Sequence, residues 1–185
     1  QGKSAVKVIP AKQRKIKNVA VLGAGVMGSR IALHCANVGL KVTLLDIVTP
    51  GLSEEDAKKP AKRNQKVNDE LAFALKSNPS PSYDKDTAGL IKTGNFDDNL
   101  SWVKDADWII EVVVERLDIK QQVFEKVEKF RRPGTIISSN TSGIPIHLMA
   151  EGRSEDFKAH FCGTHFFNPP RYLRLLEIIP TPDTN

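Results

Sequence analysis

Three side chains near the carboxyl end of this 185-residue chain have the types and spacing for proton chemistry. The segment THFFNPPRYLRLLEIIP, residues 164–180, sets His165 and Asn168 beside a double proline and carries Glu177 into an apolar run, twelve positions after the histidine. A carboxylate held against one imidazole nitrogen fixes the tautomer and raises the basicity of the other, which suits a general base near neutral pH. For that, HFCGTHFF and LRLLEII must be neighbouring strands joined through NPPRY, so that the two side chains face each other. Two plainer readings stay open at this point: a strand-end histidine that is only a structural hydrogen-bonding group, and a Glu177 paired with Arg171 or Arg174.

A second constellation lies near the amino end. Gly23-Ala24-Gly25-Val26-Met27-Gly28 fits G-x-G-x-x-G, a weak pattern alone. Here it follows the apolar run KNVAVL and opens VMGSRIALHCANVG, whose apolar residues recur at helical spacing with Gly39 as a C-cap. LKVTLLDI then reads as a second buried strand ending at Asp46, eighteen positions after Gly28. Strand, glycine turn, helix and strand make a βαβ unit for a dinucleotide. Gly23 permits the tight turn, Gly25 lets the backbone approach a pyrophosphate, and Gly28 lets helix and strand pack closely. The helix N-terminus offers free N–H groups to the phosphates. Asp46 accepts hydrogen bonds from a ribose diol and repels a 2′-phosphate, and neighbouring Ile47 supplies no compensating cation, which favours NAD over NADP. The alternative is a glycine turn that serves packing only, with Asp46 as a cap.

These groups need a scaffold. DADWIIEVVV (105–114) reads as an apolar strand with Glu111 inside it, LDIKQQVFEKVEKF (117–130) as an amphipathic helix, RRPGTIISS as another strand and IPIHLMAEG as a short helix. Strands alternating with helices predict an α/β chain: a Rossmann-type, doubly wound, mostly parallel sheet. The charged, helix-favouring stretch from Thr49 to Lys92 reads as a helical insertion after the second strand, about residues 52–92 and two helices, with Ser53 and Asp56 as a loose capping box. Residues 1–15 read as a polar extension and 16–185 as one domain.

The totals exclude several classes. No apolar run nears the roughly 18 residues a membrane span needs. The basic N-terminus lacks the apolar core of a secretory signal. Cys35 and Cys162 are too few for a disulfide framework and suit a reducing cytoplasm. The net charge of +5 is dispersed among 22 acids with no aromatic-basic platform, so nucleic acid is not indicated. His34, His147 and His160 lack acids or cysteines at ligand spacing, and no metal site is read.

GAGVMGSRIA, IIEVVVERLDIK, SSNTSGIPI and GTHFFNPPRYLRLLEII occur here in the order in which they occur in the 3-hydroxyacyl-CoA dehydrogenases of fatty-acid β-oxidation. The resemblance runs from about Lys17 to Thr181 and looks most like the bacterial multifunctional type, fused to an enoyl-CoA hydratase region. It implies NAD-dependent oxidation of an L-3-hydroxyacyl-CoA, with His165 as catalytic base, Glu177 orienting it and Ser142 bonding the substrate 3-oxygen near the nicotinamide. It further implies cofactor contacts at Glu115, Lys120, Ser142 and Asn168, with the loop Gly23, Gly25, Val26, Met27 and Gly28 and Asp46 around the adenosine half. Structural readings compete: Ser142 as the N-cap of the following helix, Glu115 and Lys120 as a surface pair, Asn168 as a turn residue.

The short-type members differ between the second strand and the GNF region. There Lys58, Lys59, Lys62 and Arg63 form a basic cluster that could meet the phosphates of CoA. The resemblance implies a continuation into an all-helical domain carrying dimer contacts and a further catalytic asparagine, which is expected to lie outside these 185 residues. The expectation is therefore a piece of a longer, oligomeric enzyme that binds dinucleotide but turns over poorly alone. Two other outcomes stay open: an inactive NAD-binding module, and a related 3-hydroxy acid dehydrogenase that uses a helix-borne lysine and no CoA.

Overall fold

The apolar runs predicted as central strands pair in parallel and are buried on both faces. β1 (Asn18–Leu22) and β2 (Lys41–Asp46) run side by side, Asn18 opposite Lys41 and Leu22 opposite Leu45. This computed structural model describes residues 14–77, 85–166 and 176–185; Asn168, Arg171 and Arg174 lie outside them. The sheet order is β3-β2-β1-β4-β5-β6-β7, with β3 (Ile91–Asn95), β4 (Trp108–Glu111), β5 (Ile136–Ser139), β6 (Phe161–Phe166) and β7 (Leu176–Pro180). Every pairing is parallel except the last, in which β7 runs back along β6.

Alternation along β1 divides the core in two. Val19 and Val21 face a layer with Ile31, Cys35 and Val67, while Ala20 and Leu22 face one with Phe124, Phe157 and Phe161. The first layer is closed by α1 (Val26–Asn37) and later by the insertion, the second by α6 (Leu117–Glu128). α1 ends as predicted: Gly39 takes φ +90°, its N–H donates to the Ala36 carbonyl at 2.9 Å and that of Leu40 to Cys35 at 3.1 Å, a Schellman closure. Burial pushes the Cys35 thiol up to about 12, so it stays protonated at neutral pH, and both cysteines are free.

The insertion differs from the two helices expected. It contains a 3-10 turn at Asp56–Lys58, one turn of α2 (Pro60–Arg63), α3 (Gln65–Ser77) and α4 (Lys85–Gly89). Pro60 explains the first break, since it starts a helix well but cannot sit inside one. The Ser53 hydroxyl accepts from the Asp56 N–H at 3.1 Å, so the capping half of the loose box forms. The insertion also ends sooner than read: Ile91 and Lys92 already belong to edge strand β3, which the short run IKTGN hides behind three polar residues and a glycine. One-turn α5 (Phe96–Asn99), capped by Asn95, likewise went unread, as did α8 (Glu155–Ala159), capped by Ser154; the IPIHLMAEG helix shrinks to α7 (Ile146–Met149). Among the described residues no helix is long and apolar enough to cross a membrane.

Phe124, Phe157 and Phe161 are fully buried and meet with ring centroids 5.4–5.6 Å apart. Phe124→Ala should therefore cost about 3–5 kcal/mol in denaturant unfolding. A loss below about 1 kcal/mol would mean that the site collapses and that this cluster does not anchor α6.

Candidate functional site

The strand order reverses between β1 and β4, whose following helices leave on opposite faces and open a crevice at the carboxyl edge. The glycine turn forms its floor. Gly23 has φ +108°, and a Cβ there would stand 2.5 Å from the Val112 carbonyl oxygen. A Cβ on Gly28 would lie 1.7 Å from the Gly23 carbonyl oxygen, so its bareness serves the turn itself more than the packing of helix on strand. A Cβ on Gly25 would meet no other part of the fold within 4 Å. That open position above the α1 N-terminus fits a diphosphate without adjustment. The crevice holds about 630 Å³ and is lined by Gly23, Gly25, Asp46, Lys66 and Val112 among others, within the range of small-ligand sites.

Asp46 closes the far corner. Its carboxylate accepts from the Ala24 N–H at 3.1 Å and the Ile47 N–H at 2.7 Å, locking the end of β2 to the turn. A cation does stand beside it, contrary to the local sequence reading. Lys66 of α3 donates to Asp46 Oδ2 at 2.8 Å, twenty positions along the chain, where no strand-end pattern points to it.

Beyond the turn, a buried charge network ties three elements together. Lys120 on α6 and Glu111 at the end of β4 both have fully buried side chains, and Nζ donates to the two carboxylate oxygens at 2.8 and 3.0 Å. The Ser139 hydroxyl and the Val113 N–H also donate to Glu111, at 2.6 and 2.7 Å. Burial pushes the Glu111 carboxyl up, against the pull of Lys120, Ser139 and Val113. Lys120 also approaches Glu115 at 3.5 Å, and Glu115 in turn accepts from the Thr141 hydroxyl and the Gly143 N–H. Burial alone would raise the Glu115 carboxyl, but these partners outweigh it and hold it below its ordinary range.

The competing reading of Glu115 and Lys120 as a surface pair fails: Lys120 has no exposed side-chain area and backs Glu115 from inside. Ser142 sits exposed on the loop that Glu115 grips, and it is not the N-cap of α7, a position held by Pro145. Glu111 was noted in its strand but given no role. An acid inside an apolar strand is a sign of a buried charge, but nothing in the spacing names Lys120 as its partner.

His165 and Glu177 are cross-strand partners in the β6–β7 register, at the same edge. Nδ1 and Oε2 lie 3.7 Å apart, with the histidine side chain 35% exposed and the glutamate 56%. That separation exceeds a hydrogen bond but needs only a small rotation to become one. The Asn140 side chain accepts from the Phe166 N–H at 3.2 Å, which brings the Ser142 loop beside the end of β6. Asn168 and both candidate arginines lie outside the described residues. The basic cluster is not free as a unit: Lys59 bonds Glu55 and Asp56 at 3.0 Å, and Arg63 clamps Asp98 at 2.7 and 3.0 Å. Lys58 and Lys62 form no ion pair among the described residues. His160 caps α8, its Nδ1 2.6 Å from the Asp156 carbonyl, and no metal-binding cluster occurs among the described residues.

A doubly wound sheet with this turn and crevice defines a dinucleotide-binding domain. A family profile described as "3-hydroxyacyl-CoA dehydrogenase, NAD binding domain" matches residues 18–185, and the chain belongs to that family. The chain is 53% identical to a probable 3-hydroxyacyl-CoA dehydrogenase of Deinococcus radiodurans over 92% of its length and 47% of that protein. It is 51% identical to a Bacillus subtilis protein of the same description, over 93% of its own length and 23% of that one. Among solved structures, (S)-3-hydroxybutyryl-CoA dehydrogenase from Ralstonia eutropha superposes with a TM-score of 0.70 at 31% identity, over 92% of this chain and 56% of that one. The chain therefore spans about a quarter to a half of the length of the curated relatives just described.

Two outcomes test the network. Glu111→Ala should cost about 3–5 kcal/mol in urea unfolding, because Lys120 is left buried without its main partner. Adding Lys120→Met should recover much of that loss, and equal instability of both variants would show that the charges are not coupled. Glu115 has a depressed folded-state value, so its grip on the loop is complete above the ordinary glutamate value and fades as pH falls through the folded one. Protection of the Gly143 amide, measured against its intrinsic exchange rate at each pH, should fall as Glu115 is protonated, and Glu115→Gln should abolish that pH dependence.

Proposed function

We propose that this chain is the cofactor-binding and proton-transfer part of a longer enzyme that reversibly oxidises an L-3-hydroxyacyl-CoA to the 3-ketoacyl-CoA. The observation that carries the proposal is the register that sets His165 opposite Glu177 at the carboxyl end of β6. His165 takes the proton of the 3-hydroxyl, and Glu177 fixes the imidazole and stabilises its cation. Ser142 donates to the 3-oxygen from a loop held by Glu115 and Thr141. Bound NAD supplies the hydride acceptor at C3.

The adenosine half rests on Gly23, Gly25, Val26, Met27, Gly28 and Asp46. The ribose and nicotinamide half reaches Glu115, backed by the buried Lys120, and Asn168 completes it. Acyl-CoA is the substrate class, as the family description suggests. A following all-helical domain and a fused hydratase region fit the greater length of the relatives, and a reducing, cytoplasmic setting fits the two free cysteines.

The test is acetoacetyl-CoA-dependent oxidation of NADH by the protein that carries this chain. His165→Ala should lower the rate about 10²- to 10⁴-fold while NADH still binds. A rate unchanged by that substitution would remove His165 from the chemistry. Reduction of free acetoacetate as fast as of its CoA ester would point instead to a dehydrogenase that does not use CoA.

A further inference from the structure

The ribose corner of the crevice contains an acceptor that is nearly saturated. Asp46 Oδ2 receives the Ala24 N–H and Lys66 Nζ, and Oδ1 receives the Ile47 N–H. Each carboxylate oxygen offers two lone pairs, so Oδ2 is filled and Oδ1 retains one. A ribose diol therefore meets one free acceptor site and, next to it, an ammonium with further N–H groups.

Lys66 is held there by the fold. Its backbone N–H donates to Thr49 Oγ1 at 3.0 Å, and the N–H and hydroxyl of Thr49 both donate to the Arg63 carbonyl at 3.0 Å. Arg63 is clamped on Asp98, so the start of α3 is strapped to the chain leaving β2. The Lys66 side chain is 29% exposed, open to the crevice, and Glu70 on the same helix adds a longer ion pair at 3.9 Å, against 2.8 Å to Asp46. Asp97 and Lys126 also line the crevice, one of each sign, and Lys66 is the cation seen to touch Asp46.

We propose that Lys66 is a specificity-determining residue of the cofactor site, acting with Asp46 as a neutral pair that reads the adenosine ribose. A lone aspartate rejects a 2′-phosphate by repulsion, but a paired one rejects it less, because the ammonium offsets the charge. The same ammonium is a latent phosphate ligand once the aspartate is removed. This rests on the assignment of the crevice to NAD.

The experiment is a set of NADH and NADPH titrations by nicotinamide fluorescence on the protein carrying this chain. Melting temperatures without nucleotide confirm that each variant is folded. Lys66→Met should weaken NADPH binding about tenfold relative to NADH, which sharpens the preference for NADH. Asp46→Ser should tighten NADPH relative to NADH by a similar factor, and the double variant should lose that gain. Asp46→Asn, which keeps the local shape, substitutes if the serine variant does not fold. Equal effects of Lys66→Met on both nucleotides would overturn the proposal and leave a structural role. A gain in NADPH affinity that survives the loss of Lys66 would overturn it in favour of another cation, Lys126 foremost. Wild-type protein that binds neither nucleotide would overturn the cofactor assignment and the proposal together, whereas intact NADH binding with either of the other results would sink the proposal alone.

Discussion

A parallel sheet whose strand order reverses must send consecutive helices to opposite faces, and the gap between them cannot be filled by either. Here the reversal lies between β1 and β4, with α1 behind one face and α6 behind the other. The other features of the site follow from that gap. The glycine turn enters it from β1, Asp46 from β2 and Val112 from the exit of β4, and the Ser142 loop follows β5. The antiparallel return of β7 adds what a purely parallel sheet would not: a strand that begins at the carboxyl edge, so that Glu177 starts where His165 ends.

The wall on the β4 side is made rigid by charge. A fully buried lysine and glutamate are costly to take out of water, and they are tolerable only because each lone pair and N–H finds a partner. Glu111 receives Lys120, Ser139 and Val113, which fixes α6, β5 and the β4 exit relative to one another. Through Glu115 the same lysine reaches the loop that presents Ser142. A contact with no exposed surface thus sets the position of exposed groups.

The insertion links scaffold and site on the opposite side. Its charged, broken helices look like solvated decoration, and two of its four clustered cations are indeed occupied by neighbouring acids. Yet Thr49, Arg63 and Asp98 strap its base to the end of β2 and bring Lys66 onto Asp46. The cation paired with Asp46 thereby comes from outside the βαβ unit.

Much of the architecture was legible because periodicity is a local property. The apolar runs ending at Leu22 and Asp46, the glycine turn and the stop at Gly39 are each specified by residues a few positions apart, and each formed as read. The pairing of His165 with Glu177 was legible too, since two apolar runs flanking a double proline leave few registers. Edge strand β3 was not, because three polar residues and a glycine in five hide its alternation. Lys66 at Asp46 and the depth of Lys120 were also beyond reach. Both are contacts between elements whose side chains look solvated in sequence, and only packing decides which lysine loses its water and which acid neutralises it. What the sequence determined by itself was the order of elements and the types of reactive groups. Tertiary structure alone decided the charge state of their surroundings, because electrostatic partners are selected by proximity in space and by burial, neither of which is written in spacing along the chain.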